Sequence, residues 1–242
     1  MTHKKSVAAI SIAYVSIMLL SYLYTFHLKG VAYGAPDFFR YELPFLILLA
    51  SMMVMYVVKK GKDLPLVTPF PAKNSYFFWG FVPLILTLIA FWLVGFQVSW
   101  SFLLPFLATL CVGIGEEFLF RRVILTYFLK YFSIHKAVAL SSICFGLFHA
   151  INVFAGSDVK TVLLQVMVTT LSGFYYAYLY LFAQQIAWSA VDHGIWDYLV
   201  FSGPVQQHSL FVTAILLQQS LRFVLALFMA YRVSKLIRKT TC

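Results

Sequence analysis

Six ionisable residues stand in stretches that are otherwise almost wholly apolar. Glu116, Glu117 and Arg121 lie in "GIGEEFLFRR", which runs from Gly113 to Arg122. His149 lies in "FGLFHAIN", and His193 and Asp197 lie in "VDHGIWD". Carboxylates and imidazoles are the groups that move protons near neutrality and that hydrogen-bond a reacting centre. Their spacing is helical. Residues four apart share a face, so Glu117 can pair with Arg121 and Asp197 can hydrogen-bond His193. Phe145 and His149 are also four apart, an aromatic wall beside a polar group. Glu116 points about 100° away from Glu117, since a helix turns once per 3.6 residues. The two glutamates therefore have different neighbours and different tasks.

The surrounding chain decides what kind of element holds these groups. It has 242 residues, 62% hydrophobic and 11% charged. A soluble domain is about half apolar and a quarter charged. Apolar runs of about twenty residues mark a polytopic membrane protein. Eight segments read as spans, at 6–26, 43–58, 75–96, 100–120, 136–155, 161–182, 185–203 and 209–233. The expected fold is therefore all-α, a transmembrane bundle of about eight helices with its active site inside. The whole chain, 1–242, reads as a single integral-membrane domain.

Only eight residues are acidic. Asp37, Glu42, Asp63 and Asp158 are expected in loops or at their edges. Glu116, Glu117, Asp192 and Asp197 are expected inside helices, where an ionisable group costs about 2.5–3.5 kcal/mol or more. Such groups mark functional sites by default. Arg222 is different. It has no charged neighbour within a turn and reads as a structural group that neutralises an acid elsewhere.

The formal net charge is +10. The basic residues fall in short clusters beside apolar runs, which is topology rather than a nucleic-acid-binding face. With the N-terminus cytoplasmic, the clusters at Lys4–Lys5, Lys59–Lys73, Arg121–Lys136 and Arg232–Lys239 all fall inside. Only Lys29, Arg40 and Lys160 fall outside. Both termini are therefore expected in the cytoplasm. The apolar run after Lys4 and Lys5 is too long for a signal-peptide core and reads as an uncleaved first helix. The stretch from Lys59 to Lys73, with three prolines, reads as a cytoplasmic linker. The three cysteines, Cys111, Cys144 and Cys242, are odd in number and lack metal-like spacing, against a disulfide framework or zinc knuckle.

Taken together and in order, Glu116-Glu117-x-x-x-Arg121, Phe145-x-x-x-His149 and His193-x-x-x-Asp197 resemble the three motifs of a known family. These are the CPBP (CAAX protease and bacteriocin-processing) intramembrane proteases, Abi- and Rce1-like, here as a bacterial member. The resemblance covers about residues 100–200 as a catalytic core. It implies a peptidase cutting near or within the membrane, with lipid and a peptide or membrane-protein substrate as partners. It implies that Glu116 activates water, with His149 helping to hold it, and that His193 and residue 197 stabilise the oxyanion. Glu117 and Arg121 would brace the site. The family pattern also admits Asn at position 197, which can donate a hydrogen bond where an ionised Asp cannot. Asp197 is then either protonated or orients His193 as the donor.

Cofactor need stays open at this point. Glu116, His149 and His193 are plausible ligands for a divalent metal such as zinc. The chain lacks the His-Glu-x-x-His pattern from which a zinc-peptidase mechanism is read directly. A non-catalytic bacteriocin immunity or membrane scaffold protein of the same fold is the alternative. A carrier would need repeat symmetry or paired broken helices, and neither is visible.

Overall fold

A computed structural model describes residues 3–201 and 209–241. Cys242 and the end of the expected segment 185–203 lie outside the described residues. The regular structure of the described residues is all helical. Helix α1 (His3–Leu23) runs on through a π turn at Tyr24–Leu28, and α2 (Phe38–Lys60) ends in a 3-10 turn at Gly61–Asp63. Then follow α3 (Ser75–Gly95) and α4 (Trp100–Glu117). A π-helical stretch, Phe118–Leu125, continues α4 into the four-residue α5 (Thr126–Leu129). Next come α6 (Ile134–Phe148), a 3-10 stretch at His149–Ala155, α7 (Val159–Ala183) and α8 (Ile186–Phe201). The last helix, α9, spans Ser209–Thr241.

Seven helical segments of the described residues are long and apolar enough to cross a membrane. The protein is a multi-pass membrane protein. The remaining helix, α8, has 16 residues. At 1.5 Å per residue that is about 24 Å, short of the about 30 Å hydrocarbon core. It lies against α4, α3 and α7 and carries His193 and Asp197. The length counted is that of α8 up to Phe201, where the described stretch stops, and the count of seven does not include it.

One expectation needs correction. Glu42 is not at a loop edge. The second helix starts at Phe38, and Glu42 is buried within it. Pro44 does not delay the helix, because packed membrane helices tolerate proline. The stretch from Lys59 to Lys73 connects α2 to α3, and part of it is packed. Leu64 and Phe70 are buried, Gln184 Nε2 donates to Thr68 Oγ1 at 2.9 Å, and Lys73 N donates to Phe182 O at 2.7 Å.

The basic cluster after α4 has specific work. Arg122 Nη2 donates to Gly61 O at 2.8 Å, and Nη1 donates to Leu64 O. Lys130 Nζ donates to Asp63 O at 2.7 Å. Cations thus bond the carbonyls just past the end of α2, where the helix dipole favours them.

The α4–α8 contact positions the catalytic candidates. A Cβ on Gly113 would lie 2.3 Å from Ala190 O and 2.8 Å from Gly194 N. One on Gly194 would lie 2.9 Å from Thr109 O. The two backbones touch through glycine, as membrane helices do where small residues allow it. Gly113→Ala has no flexible side chain to push aside. It is expected to destabilise by about 1–3 kcal/mol, the usual range for overpacking. Thermal unfolding in detergent measures this, and an unchanged midpoint would contradict so close an approach.

Candidate active site

The last two residues of α4 diverge. Glu117 is fully buried and both its oxygens are engaged. Arg121 Nε donates to Oε2 at 3.1 Å and Nη2 to Oε1 at 3.4 Å. His193 Nδ1 donates to the same Oε1 at 3.1 Å. The Arg121 guanidinium also covers the Phe145 ring, 4.5 Å from its centroid. Fork geometry and a flat aromatic floor fix this buried pair.

Glu116 is placed otherwise. Its Oε2 has no hydrogen-bond partner and lies 3.9 Å from His193 Nε2. That nitrogen lies 3.4 Å from Asp197 Oδ2. The His193 ring stacks on Tyr176, with centroids 4.9 Å apart and planes at 23°. Phe145 meets its other side edge-on at 5.6 Å. His149 sits where α6 gives way to the 3-10 stretch. Its Nδ1 donates to Phe145 O at 2.9 Å, which leaves Nε2 as an acceptor.

Glu116, His149 and Asp197 share the lining of a cavity of about 30 Å³. Glu42, Tyr33, Thr109 and Asn152 complete its polar wall, and Met18, Phe39 and Phe148 are among its apolar members. That volume accommodates about two water-sized groups. His149, His193 and Asp197 also line a wider groove of about 380 Å³ along α7 and α8. The groove is bounded by Leu164, Val168, Trp196 and Val200 and is mainly apolar. The structure thus brings all six candidate residues into one connected site, drawn from α4, the π stretch, the 3-10 stretch and α8.

Residues 98–199 match the family described as type II CAAX prenyl endopeptidase Rce1-like. This stretch of the chain is similar to that family. Comparison with curated proteins gives no match, and comparison with solved structures gives none either. The matched stretch holds α4 through Leu199 of α8 and every one of the six candidates. Three further groups at the site come from outside it.

Arg222, on α9, donates to Asp192 Oδ1 and, through Nη1 at 3.0 Å, to Tyr176 Oη. Its guanidinium lies 4.2 Å from the Trp196 ring centroid. Arg222 therefore holds the ring that stacks on His193. Tyr33, in the loop after α1, accepts from Gln165 Nε2 at 3.2 Å, and Asn152 Nδ2 donates to Gln165 Oε1 at 2.8 Å. Burial pushes the Tyr33 hydroxyl well above its ordinary pKa, and the nearby Asp197 adds to this. Tyr33 thus keeps its proton and can donate it. The third group is Glu42. Asn152 stands three residues after His149, a spacing that helical geometry could have flagged. Tyr33, Glu42 and Arg222 reach the site through tertiary packing and carry no local signal.

Among the described residues, no group of three or more His, Cys, Asp or Glu is arranged to hold a metal. The set Glu116, His149 and His193 does not fit a three-ligand zinc site. Both ring nitrogens of His193 face carboxylates, so neither offers a free lone pair.

Proposed function

We propose that this protein is an intramembrane endopeptidase that hydrolyses a peptide bond of a membrane-associated protein or peptide. The observation that carries the reading is the water-sized polar cavity beside the unpartnered oxygen of Glu116. A water there can give a proton to Glu116 while the His149 Nε2 lone pair helps to hold it. The resulting hydroxide attacks the carbonyl carbon, and the carbonyl electrons move to oxygen. His193, held between Glu117 and Asp197, donates to that oxyanion as imidazolium. Asp197 acts by orienting His193. Glu116 then returns its proton to the leaving amine as the C–N bond breaks. Glu117 and Arg121 brace His193 and take no proton. No step requires a metal.

The same reading takes 1–242 as one integral-membrane domain, with 100–200 as its catalytic core. Both termini are cytoplasmic, in the cell membrane. Peptide reaches the site from that side or laterally, along the apolar groove. Comparative peptidomics of cells carrying the wild type or Glu116→Ala tests the proposal. Peptides that depend on Glu116 are expected. Two matching profiles would sink the reading and leave a non-catalytic membrane protein.

A further inference from the structure

The buried acids of this protein are not equivalent. Glu117 is matched by Arg121 and His193, Asp192 by Arg222, and Glu116 by His193. Glu42 is 1% exposed and, among the described residues, has no ion-pair partner. Thr25 Oγ1 donates to its Oε1 at 2.6 Å; Ser21 stands beside the carboxylate but its Oγ donates to Met18 O at 2.8 Å, which leaves the buried Oε2 with no hydrogen-bond partner. An orphaned buried oxygen is costly and calls for an explanation. Glu42 also stands on the wall of the cavity that holds Glu116. The orphan and the cavity are independent observations, and together they describe one half of an ion pair awaiting the other.

The cavity limits what the other half can be. Its volume of about 30 Å³ accommodates about two water-sized groups. One place is taken, in the proposed reaction, by the water that Glu116 activates. The second, beside Glu42, matches the compact head of an ammonium better than a planar guanidinium. We propose that Glu42 forms an ammonium subsite of the catalytic cavity, and that the peptides cut here present a lysine side chain or a free N-terminus to it. The inference rests on the protease reading and narrows its substrate class. Glu42 would select and position the substrate, while Glu116 acts on the water.

The test uses full-length protein in nanodiscs of phosphatidylcholine, which carries no net charge. A library of peptides with both ends capped is digested, and the cut sites are read by mass spectrometry. Lysine is expected beside the cuts, and favoured over norleucine by at least about 30-fold. In Glu42→Gln, which can still accept from Thr25, that preference is expected to fall to near one. Repeating the digest with uncapped N-termini separates an α-ammonium from a lysine side chain. A preference for neither group, or one that persists in Glu42→Gln, overturns the proposal and leaves proteolysis intact. Failure of the wild type to cut any peptide counts against the protease reading itself. Glu42 is then decided by binding to Glu116→Gln protein of a capped lysine peptide and its norleucine twin. A lysine preference that Glu42→Gln abolishes supports the subsite, and its absence overturns it.

Discussion

Glu116→Gln is expected to lower the rate of peptide hydrolysis by about 10²–10⁴-fold, the usual worth of a general base, while leaving the fold intact. The stability half of this expectation follows from the accounting of partners. Glu116 Oε2 has no hydrogen bond to lose. A neutral amide in its place removes a desolvated charge. Glu117→Gln is expected to behave in the opposite sense. It leaves Arg121, which is fully buried, without its carboxylate. Breaking a buried pair from one side costs about 3–5 kcal/mol, because the remaining charge is uncompensated. Thermal unfolding of the two purified variants, beside their turnover of one peptide, separates base from brace. Full turnover by Glu116→Gln, or an undiminished midpoint in Glu117→Gln, would reverse the assignment.

Arg222→Met is expected to cost a comparable 3–5 kcal/mol, about, by stranding Asp192 in the interior. The double variant Arg222→Met, Asp192→Asn removes both charges and is expected to recover most of that loss. The two outcomes differ for chemistry. Even a stable double variant has lost the donor that anchors Tyr176, whose ring stacks on His193. Its hydrolysis rate is therefore expected to stay below that of the wild type after stability returns. Recovery of both together would make the α9 pair a purely structural clamp.

These two predictions divide along the line between what was and was not legible in the residues. The partnership of Glu117 with Arg121 is written locally, as a spacing of four within one helix. So are the positions of the apolar segments, which composition alone reveals. Arg222 has no such local partner, because Asp192 belongs to another helix. It could be read as neutralising some acid, and no pattern said which. Glu42 looked like a loop-edge acid because it stands just before the apolar run that begins at Leu43. The helix begins earlier, and its burial is a property of packing. Tyr176 and Tyr33 are tyrosines among 15, and only tertiary structure marks them as touching the site. His193 was legible as a candidate from its surroundings. Its second carboxylate, Glu117, comes from α4 and required the glycine contact at Gly113 to become visible.

The π-helical stretch from Phe118 to Leu125 follows directly on Glu116 and Glu117. Its hydrogen bonds run one residue further than those of an α-helix, so its winding depends on the number of residues as well as their kinds. Loss of Phe118, Leu119 or Phe120 would rewind the rod and swing all that follows by roughly 100°. Arg121 would leave Glu117, and Arg122 would leave the carbonyls at the end of α2. Reading-frame-preserving deletions, which a loop absorbs, would be felt here at both ends at once. The segment is in this sense a ruler: its length, counted in codons, is part of the site.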